Sequence, residues 1–307
     1  MDEFTVNIQG IRLDDFILSQ HHEFTNITLY KFLKANRIKV NGRKVPLNTR
    51  LDKGDTVRLY MPSNDGPKYL RAREELDIVY EDDSVLIIDK PAGIIIETPD
   101  DSVIDTLVNR VKLRHVKAGG EESSAPRLCH RLDTGTSGLV IFAKTKEAED
   151  AMTELMKRKQ LNKEYLTITF GRPSKSEAQL INYIVKYPEQ SKVRVYDKIV
   201  DGAKQAVLDY SVVEHSGRLS LLRVHLVTGR THQIRAQLAY IGCPVLGDGK
   251  YGNNVANREY KFKYQALCAY RLTFPKSVPQ VLKGVSGKTF CGKLPWYVNQ
   301  FNNKELK

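Results

Sequence analysis

The sequence HRLDTGTSGLVIFAK, at residues 130–144, joins a polar loop to an apolar strand. Its second half, from Leu139 to Ala143, is a continuous apolar run rich in β-branched and aromatic residues, which predicts a buried strand. Its first half, from Asp133 to Gly138, holds only aspartate, threonine, glycine and serine, which predicts a loop. Loops that a rigid core holds in place commonly carry the residues that do chemistry. This loop is therefore the first place to look for a functional site.

Asp133 is the ionisable group of this loop, and Arg131 lies two residues before it. A nearby positive charge favours the ionised carboxylate, so Asp133 would be ready to act as a nucleophile or a base. The alternative interpretation is structural: Asp133 caps a turn, and Arg131 pairs with it. An isolated Arg-Leu-Asp tripeptide would favour the structural interpretation, and only the surrounding sequence can change that balance.

The composition indicates a globular protein with a polyanionic partner. A chain of 307 residues is long enough for two domains, one of them substantial. The formal net charge of +12, from 48 basic and 36 acidic residues, favours nucleic acid as the partner. No apolar run approaches the about 18 residues that span a bilayer, and no signal peptide is visible. We therefore expect a cytoplasmic protein that does not contact a membrane.

The cysteines argue against a disulfide framework or a metal site. The four cysteines are far apart in the sequence and form no C-x-x-C pair. This spacing predicts reduced thiols and no zinc site, because metal-binding cysteines usually come in closely spaced pairs. Neither an H-E-x-x-H pattern nor a cluster of cysteine and histidine occurs, so no metal is expected.

Three motifs resemble those of one enzyme family. The run His-Arg-Leu-Asp-x-x-Thr-Ser-Gly-Leu, at residues 130–139, closely resembles the signature of the RluA-type pseudouridine synthases. Lys-Glu-Tyr at residues 163–165 resembles the second motif of that family, and Gly-Arg-Thr-His-Gln-Ile-Arg at residues 229–235 closely resembles the third. The resemblance covers about residues 76–275 and keeps the order of the family's motifs.

The resemblance implies catalytic roles for three residues. Asp133 takes the position of the family's essential aspartate. Tyr165 takes that of the tyrosine that stacks on the target base and serves in proton transfer at the sugar. Arg230, the first arginine of the third motif, takes that of the arginine that pairs with the catalytic aspartate. Arg230 also follows a predicted strand and precedes a helix that Thr231 is expected to cap, and a helix N-terminus favours an anion nearby.

Further residues of the same motifs are assigned to substrate binding. Arg131 is expected to fill the gap that a flipped uridine leaves, because a base inside an RNA helix is out of an enzyme's reach. His130, Thr136 and Ile234 are expected to contact the substrate. His232 is interpreted as a hydrogen-bonded structural residue beside the helix, in preference to a general acid or base.

Residues 89–93 read Asp-Lys-Pro-Ala-Gly and look like the family's Lys-Pro-x-Gly element. The proline and the glycine predict a turn after a buried strand at residues 85–88. We expect Lys90 to brace the catalytic loop without taking part in catalysis. A helix is then predicted to begin at Ser102, with Asp105 completing a variant of the capping box.

Residues 4–62 resemble a small separate module. Apolar residues at helical spacing predict a helix near residues 29–33, and an Asn-Gly turn predicts a hairpin over residues 38–45. With a closing strand at residues 56–60, this order resembles the S4-type RNA-binding domain. Five basic side chains are expected to contact phosphates: Lys31, Arg37, Lys39, Arg43 and Lys44. The alternative is that they only form a solvated basic face.

The sequence as a whole predicts an α+β protein. The resemblance implies a pseudouridine synthase catalytic domain at residues 76–307, built on a mixed, mostly antiparallel sheet. A small S4-like α/β RNA-binding domain at residues 1–62 precedes it, joined by a linker at residues 63–75. We expect a monomer. The resemblance implies no cofactor, because the reaction involves neither redox chemistry nor group transfer.

The function implied is the isomerisation of specific uridines to pseudouridine in RNA. The N-glycosidic bond must break, the uracil must turn, and a C–C bond must form. Asp133 attacks C1′ of the sugar or removes a proton from C2′, and both roles stay open. The S4-like domain and the modest length favour large-subunit ribosomal RNA as the substrate, with transfer RNA as the alternative.

Two other classes of function stay open. The chain could be an RNA-binding ribosome-assembly factor without catalysis, although the presence of Asp133, Tyr165 and Arg230 argues against this class. It could instead use Asp133 to hydrolyse the glycosidic bond of a nucleoside, in which case free uracil would be a product.

Overall fold

The computed structural model describes residues 1–22, 24–61, 67–100 and 102–306. The chain divides into two compact units, formed by Met1–Ala72 with Thr98–Ile104 and by Arg73–Glu97 with Asp105–Lys307. The sequence did not indicate that Thr98–Ile104 belongs to the first unit. The start of the predicted linker, residues 63–66, lies outside the described residues, and the predicted domain limits stay a prediction.

The first unit is a small antiparallel sheet with two helices. Its elements are β1 (Asp2–Thr5), α1 (Leu13–Gln20), α2 (Asn26–Lys34), β2 (Ile38–Val40) and β3 (Thr56–Leu59). The strand order is β1-β3-β2, and both pairs are antiparallel. Leu29 and Phe32 of the predicted helix are buried in one cluster with residues of α1 and the strands. The resemblance of this unit to an S4 domain stays a prediction.

The Asn41-Gly42 turn forms and Val40 pairs with Arg43 across it, but the predicted hairpin does not continue to residue 45. Both residues have left-handed backbone conformations, with φ of 50° and 78°, as a tight two-residue turn requires. After the turn the chain makes a single bridge at Arg43, and the strand that pairs with β2 is β3. The Asn41 side chain explains this pairing, because it donates to Asp55 at 2.7 Å and accepts from the N–H of Thr56 at 2.9 Å. These contacts tie the turn to the start of β3.

The second unit is built on one large sheet. Its strands are β4 (Ile78–Glu81), β5 (Val85–Lys90), β6 (Arg127–Leu128), β7 (Ser137–Ala143), β8 (Asn162–Phe170), β9 (Glu177–Tyr187), β10 (Lys192–Tyr196), β11 (Lys204–Ser216), β12 (Leu219–Leu226), β13 (Leu267–Thr273) and β14 (Thr289–Cys291). Its helices are α3 (Leu107–Lys117), α4 (Lys146–Lys157), α5 (Gln233–Tyr240), α6 (Asn254–Glu259) and α7 (Trp296–Asn302). Short 3-10 helices of the chain cover Lys68–Arg71, Glu122–Ser124, Pro188–Gln190 and Gln280–Val285.

The strand order of this sheet is β10-β9-β11-β12-β8-β13-β7-β5-β4, with β14 added to β13 and β6 added to β7. The pair of β7 and β13 is parallel, and neighbours such as β5 with β7 and β8 with β12 are antiparallel. The prediction of a mixed, mostly antiparallel sheet in an α+β protein is therefore confirmed.

Strand β7 is the buried strand that the opening stretch predicts. Its apolar residues are fully buried, and it pairs with β5 along its length. Gly138 marks its close approach to β13: its φ is 109°, and a Cβ there would lie 2.3 Å from the carbonyl oxygen of Ala269. A larger residue would push the two strands apart, so the glycine next to the polar loop is a packing requirement.

Helix α4 has a capping residue at its start and one buried apolar face. It follows Thr145, whose Oγ1 accepts from the N–H of Ala148 at 3.1 Å, and it buries Met152 and Leu155. Met152 belongs to the core, and Met156 packs against it. Within the described ranges, no helix is long and apolar enough to cross a membrane.

Helix α3 begins later than the predicted start at Ser102. Thr106 is its N-cap, because its Oγ1 accepts from the N–H of Asn109 at 3.1 Å. Asp105, which was expected to complete the capping box, accepts instead from Nε and Nη2 of Arg110, each at 2.7 Å. This two-point contact with Arg110 takes the place of the capping contact that was expected at the predicted helix start.

Candidate active site

The loop that carries Asp133 is anchored at its backbone. The N–H of Thr136 donates to the carbonyl of Asp133 at 3.0 Å, and the N–H of Gly93 donates to the carbonyl of Thr134 at 2.7 Å. The fully buried Lys90 donates from Nζ to the carbonyl of Thr134 at 3.3 Å and to two further carbonyls at 3.0 and 3.2 Å. Lys90 therefore braces the loop, as the sequence predicts. Burial lowers the pKa of Lys90 to about 8, although the Asp133 carboxylate acts in the opposite direction.

Arg235, in the first turn of α5, holds the side chain of Asp133. Its Nη1 donates to Oδ2 of Asp133 at 2.6 Å. Its Nε and Nη2 donate to Oδ2 and Oδ1 of Asp248 at 2.6 and 2.9 Å. One guanidinium therefore bridges two carboxylates, and its orientation is fixed by the two-point contact with Asp248. Burial alone would lower the pKa of Arg235, but the two carboxylates raise it, so the cation is permanent.

Asp248 supports this arrangement from inside the protein. Its side chain is fully buried, and it also accepts from the N–H groups of Lys250 and Tyr251 at 2.8 and 3.1 Å. Burial acts to raise the pKa of Asp248, but the hydrogen bonds and charge of Arg235 outweigh it and lower the pKa. Asp248 is therefore an ionised anchor, whereas the Asp133 side chain, 29% exposed, faces the site.

The predicted pairing of Arg230 with Asp133 is wrong. Arg230 is exposed, and its Nε donates to the carbonyl of Gln205, near the start of β11, at 2.9 Å. Both arginines belong to the third motif, but Arg235 lies on the helix that runs past the Asp133 loop. The partner of Asp133 is therefore the second arginine of the motif, Arg235, because the helix places it beside the loop.

The predicted N-cap at Thr231 is wrong as well. Helix α5 follows His232, which has a left-handed backbone with φ of 52° and makes no capping contact with its side chain. The side chain of Gln233 organises this turn instead. Its Oε1 accepts from the N–H of Arg230 at 3.0 Å and from the hydroxyl of Thr228 at 2.8 Å.

Tyr165 lies on β8, opposite Ala269 of β13 and Val224 of β12. It is buried, and it lines the same cavity as Asp133. Burial, and next the charge of Asp133, raise the pKa of Tyr165 well above its ordinary value. The hydroxyl therefore stays protonated, so that the side chain offers an aromatic surface and a hydrogen-bond donor but no base.

These side chains share one large open cavity of about 1480 Å³. Its rim is rich in basic side chains: Lys112, Arg127, Lys157, Lys163, Lys186, Lys250 and Lys263. The volume and the charge suit a folded nucleic acid better than a small neutral metabolite. Throughout the described residues, no group of three or more His, Cys, Asp or Glu side chains is arranged to hold a metal ion.

The predicted substrate-binding residues all line this cavity, in different ways. Arg131 is exposed. Thr136 is buried, and its Oγ1 accepts from the side-chain amide of Gln265 at 3.1 Å, whereas Ile234 packs in the cluster that contains Tyr165. His130 accepts through Nε2 from the N–H of Ile141 at 3.3 Å, and burial, followed by the charge of Lys163, lowers its pKa to about 3. Its neutral ring therefore holds the loop to β7.

The five basic residues predicted to contact phosphates lie on α2 and around the Asn-Gly turn of the first unit. Lys31, Arg43 and Lys44 are exposed. Arg37 lies over the ring of Phe32 at 5.9 Å, and Lys39 lies over that of Tyr60 at 5.4 Å. Their contact with RNA stays a prediction.

The sequence interpretation missed two residues of the site, Arg235 and Asp248. Arg235 stands inside the third motif, and its helical position was the available signal, because a residue in the first turn can point back towards the preceding loop. A buried aspartate between two glycines gives no signal of its partner.

The fold and the site define a class of RNA-modifying enzyme, in which an aspartate and a buried tyrosine line one basic cavity. The family model described as RNA pseudouridylate synthase matches residues 84–240. The chain belongs to this family and is an RNA pseudouridine synthase.

Similar proteins support the assignment. The uncharacterized RNA pseudouridine synthase YlyB of Bacillus subtilis is 30% identical over 264 residues, which cover 86% of this chain and 85% of that protein. The ribosomal large subunit pseudouridine synthase D of Vibrio parahaemolyticus is 31% identical over 282 residues, covering 86% and 83%. The solved structure of human RNA pseudouridylate synthase domain containing 4 superposes with a TM-score of 0.61 at 24% identity, covering 75% of this chain and 94% of that one. This last likeness supports the fold.

Proposed function

We propose that the protein converts uridine to pseudouridine in large-subunit ribosomal RNA, with Asp133 as the catalytic carboxylate. The observation that carries the catalytic role is the bond of 2.6 Å from Arg235 to one oxygen of Asp133, which leaves the other oxygen towards the cavity. The arginine orients the carboxylate without covering it. This is what a nucleophile or a base needs.

The reaction is an isomerisation, so its atoms balance within the substrate. The bond between C1′ and N1 breaks, the uracil turns, and a bond between C1′ and C5 forms. The proton on C5 leaves, and N1 gains one. Asp133 starts the sequence by attacking C1′ or by taking a proton from C2′, and the geometry accommodates either role. Asp133 is regenerated at the end in both cases.

Tyr165 and Arg131 complete the site in this proposal. The uridine must leave its helix to reach Asp133 at the bottom of the cavity. The buried ring of Tyr165 offers a surface on which the flipped uracil can stack, and its protonated hydroxyl can donate a hydrogen bond to the sugar. Arg131 is exposed beside Asp133 and can fill the gap that the uridine leaves.

Two observations favour ribosomal RNA. Relatives from Vibrio parahaemolyticus and Vibrio vulnificus that carry the name ribosomal large subunit pseudouridine synthase D are each 31% identical to this chain. The first unit adds the exposed basic residues Lys31, Arg43 and Lys44, which can bind phosphates of the RNA. Transfer RNA is the alternative substrate.

Pseudouridine mapping on total RNA tests the proposal. Carbodiimide modification followed by reverse transcription would be applied to cells with the gene, without it, and with Asp133→Asn, which keeps the size of the side chain but removes its charge. We expect one or a few sites in large-subunit ribosomal RNA to be lost and to be restored only by the wild type. Loss of transfer RNA sites would transfer the activity to that substrate.

Two further experiments, one in the same cells and one with purified protein, distinguish the other classes of function. If Asp133→Asn restored every cellular phenotype while no site changed, the protein would be an assembly factor. If purified protein released free uracil from the mapped RNA, it would be a hydrolase. Either result would overturn the proposed isomerisation.

A further inference from the structure

His232 holds its ring beside the catalytic carboxylate. Its side chain is only 14% exposed, and its Nε2 lies 3.9 Å from Oδ1 of Asp133. This is the carboxylate oxygen that Arg235 leaves free, because Arg235 donates to Oδ2. The left-handed backbone of His232, with φ of 52°, is uncommon for a residue other than glycine. Such strain is most often kept where it places a functional side chain.

The hydrogen bonds behind the ring fix its tautomer. The hydroxyl of Tyr251 accepts from the N–H of Val193 at 2.8 Å and lies 2.9 Å from Nδ1 of His232. Since the N–H of Val193 can only donate, the hydroxyl proton of Tyr251 is free to point at Nδ1. Nδ1 is then an acceptor, and a neutral ring carries its proton on Nε2, the nitrogen that faces Asp133.

The charged surroundings keep the ring neutral. The titratable groups that face it are Asp133 on its loop, Arg235 on α5, and Asp248, Lys250 and Tyr251 on the loop after α5. Burial lowers the pKa of His232; the Asp133 carboxylate opposes this, and the two cations reinforce it. The net direction is downward, so near neutral pH the ring is an uncharged donor.

We propose that His232 is a positioning residue for the isomerisation, donating from Nε2 to Oδ1 of Asp133, with Tyr251 holding its tautomer. This inference rests on the proposed function of Asp133. The two oxygens of Asp133 would then be held by different donors, Arg235 on Oδ2 and His232 on Oδ1. A carboxylate held at both oxygens presents its remaining lone pairs in one direction, towards the sugar.

The gap of 3.9 Å closes with a shift of about 1 Å, because a hydrogen bond between nitrogen and oxygen is about 2.9 Å long. The hairpin of β9 and β10 is the element that can produce this shift. Val193 of β10 binds Tyr251, and Lys250 donates from Nζ to the carbonyl of Ser191 in the turn of the hairpin at 2.8 Å. Lys186 of the same hairpin lines the cavity. RNA that binds against the hairpin therefore shifts Tyr251 and, through it, the ring of His232.

A matched pair of variants separates this role from simple anchoring. In His232→Gln, the side-chain amide nitrogen can reach the place of Nε2, but nothing replaces Nδ1. In His232→Asn, the amide oxygen can take the place of Nδ1 and keep the contact with Tyr251, but nothing reaches Asp133. Asparagine also tolerates the left-handed backbone better than glutamine does, so strain alone would favour His232→Asn.

The measurement is single-turnover pseudouridine formation by the full-length protein, on an RNA fragment that contains the mapped site. We expect the rate constant to fall about 10- to 100-fold in His232→Asn, the effect of losing one hydrogen bond to a charged group, and to stay within about fivefold of the wild type in His232→Gln. The dissociation constant of the RNA is expected to stay within about twofold in both variants.

A second readout is the pH profile of Tyr251→Phe. Without the donor to Nδ1, the pKa of His232 rises. The imidazolium cation then pairs with Asp133, which makes the carboxylate a weaker nucleophile or base. We expect the acidic limb of the profile to move to higher pH, a change that a merely structural role would not cause.

The remaining outcomes overturn the inference. Wild-type rates in both variants, equal losses in both, or a slower His232→Gln than His232→Asn would each show that the donor to Asp133 has no role. If the wild type itself forms no pseudouridine in any RNA, the proposed function fails, and that failure is visible before any variant is compared.

Discussion

Arg235 and Asp133 are joined by one hydrogen bond of 2.6 Å, whereas Arg235 and Asp248 are joined by two. The buried carboxylate of Asp248 fixes the guanidinium plane, and the remaining N–H direction then fixes the carboxylate of Asp133. Asp133 is therefore oriented by a residue that is itself oriented from the interior of the protein.

Replacing Arg235 tests this geometry directly. Arg235→Lys keeps the charge, but an ammonium group cannot serve both carboxylates in one plane. We expect the rate constant of single-turnover pseudouridine formation to fall by about 100-fold or more, as is usual when a preorganised electrostatic contact is lost. RNA affinity should change by less than about threefold, because the charge remains.

Arg230→Lys is the matched control for that variant. Among the described residues, the side chain of Arg230 donates only to the carbonyl of Gln205, and it lines the cavity. We expect its rate constant to stay within about threefold of the wild type. Equal losses at the two arginines would show that the pairing in the structure is not the one that operates in catalysis.

Asp248→Asn is expected to reduce stability as well as activity. The variant leaves the guanidinium of Arg235 buried with only one carboxylate, and breaking a buried ion pair costs about 3–5 kcal/mol. Denaturant unfolding monitored by circular dichroism gives this value. Asp150→Asn removes an exposed carboxylate, 66% accessible and paired with Lys146, and should leave the unfolding midpoint unchanged. A stable Asp248→Asn variant would mean that the pair contributes nothing net to folding.

Much of this architecture was predictable from the sequence, because it depends on local patterns. The apolar run from Leu139 to Ala143 has the composition of a buried strand, and the polar residues before it have that of a loop. The resemblance of three motifs to a known family predicted catalytic roles for Asp133 and Tyr165, and both side chains line the same cavity. Lys90 was predicted to brace the loop, and its contact with Thr134 confirms this.

Two of the errors have a related physical origin. In each of them, two contacts are equally possible on sequence grounds, and the tertiary structure determines which one forms. Arg230 and Arg235 are both in reach of an anion on sequence grounds, and only the path of α5 decides between them. The Asn41 side chain binds Asp55, and the turn is therefore held against the start of β3. Such choices depend on tertiary contacts, which the spacing of residues does not contain.

Lys90 gives the protein a stability that depends on pH. Its pKa falls from an ordinary 10.5 to about 8 on folding, mainly because it is buried. Between these two values the unfolded chain binds more protons than the folded one, so stability rises with pH in this window. We expect the wild type to gain up to about 3 kcal/mol between pH 8 and 10.5 relative to Lys90→Met, which lacks the titrating group.

The measurement is urea unfolding of both proteins at several pH values. The difference between the two free energies of unfolding isolates Lys90, because every other titrating group is present in both proteins. Lys90→Met itself is expected to be less stable, since it removes the three hydrogen bonds that Nζ donates to backbone carbonyls. A difference that does not change with pH would show that Lys90 keeps its ordinary pKa in the folded protein.

The basic residues of the first unit are expected to contribute affinity and little catalysis. Arg43 and Lys44 are exposed beside the Asn-Gly turn. If each contacts a phosphate, Arg43→Gln with Lys44→Gln reduces the slope of log affinity against log salt by about 2, because each contact releases about one counterion. The rate constant at saturating RNA should not change. The control is the double variant Lys283→Gln with Lys304→Gln, which removes the same charge from exposed positions in the second unit. A slope that falls equally in both double variants would assign the effect to net charge and remove the first unit from RNA recognition.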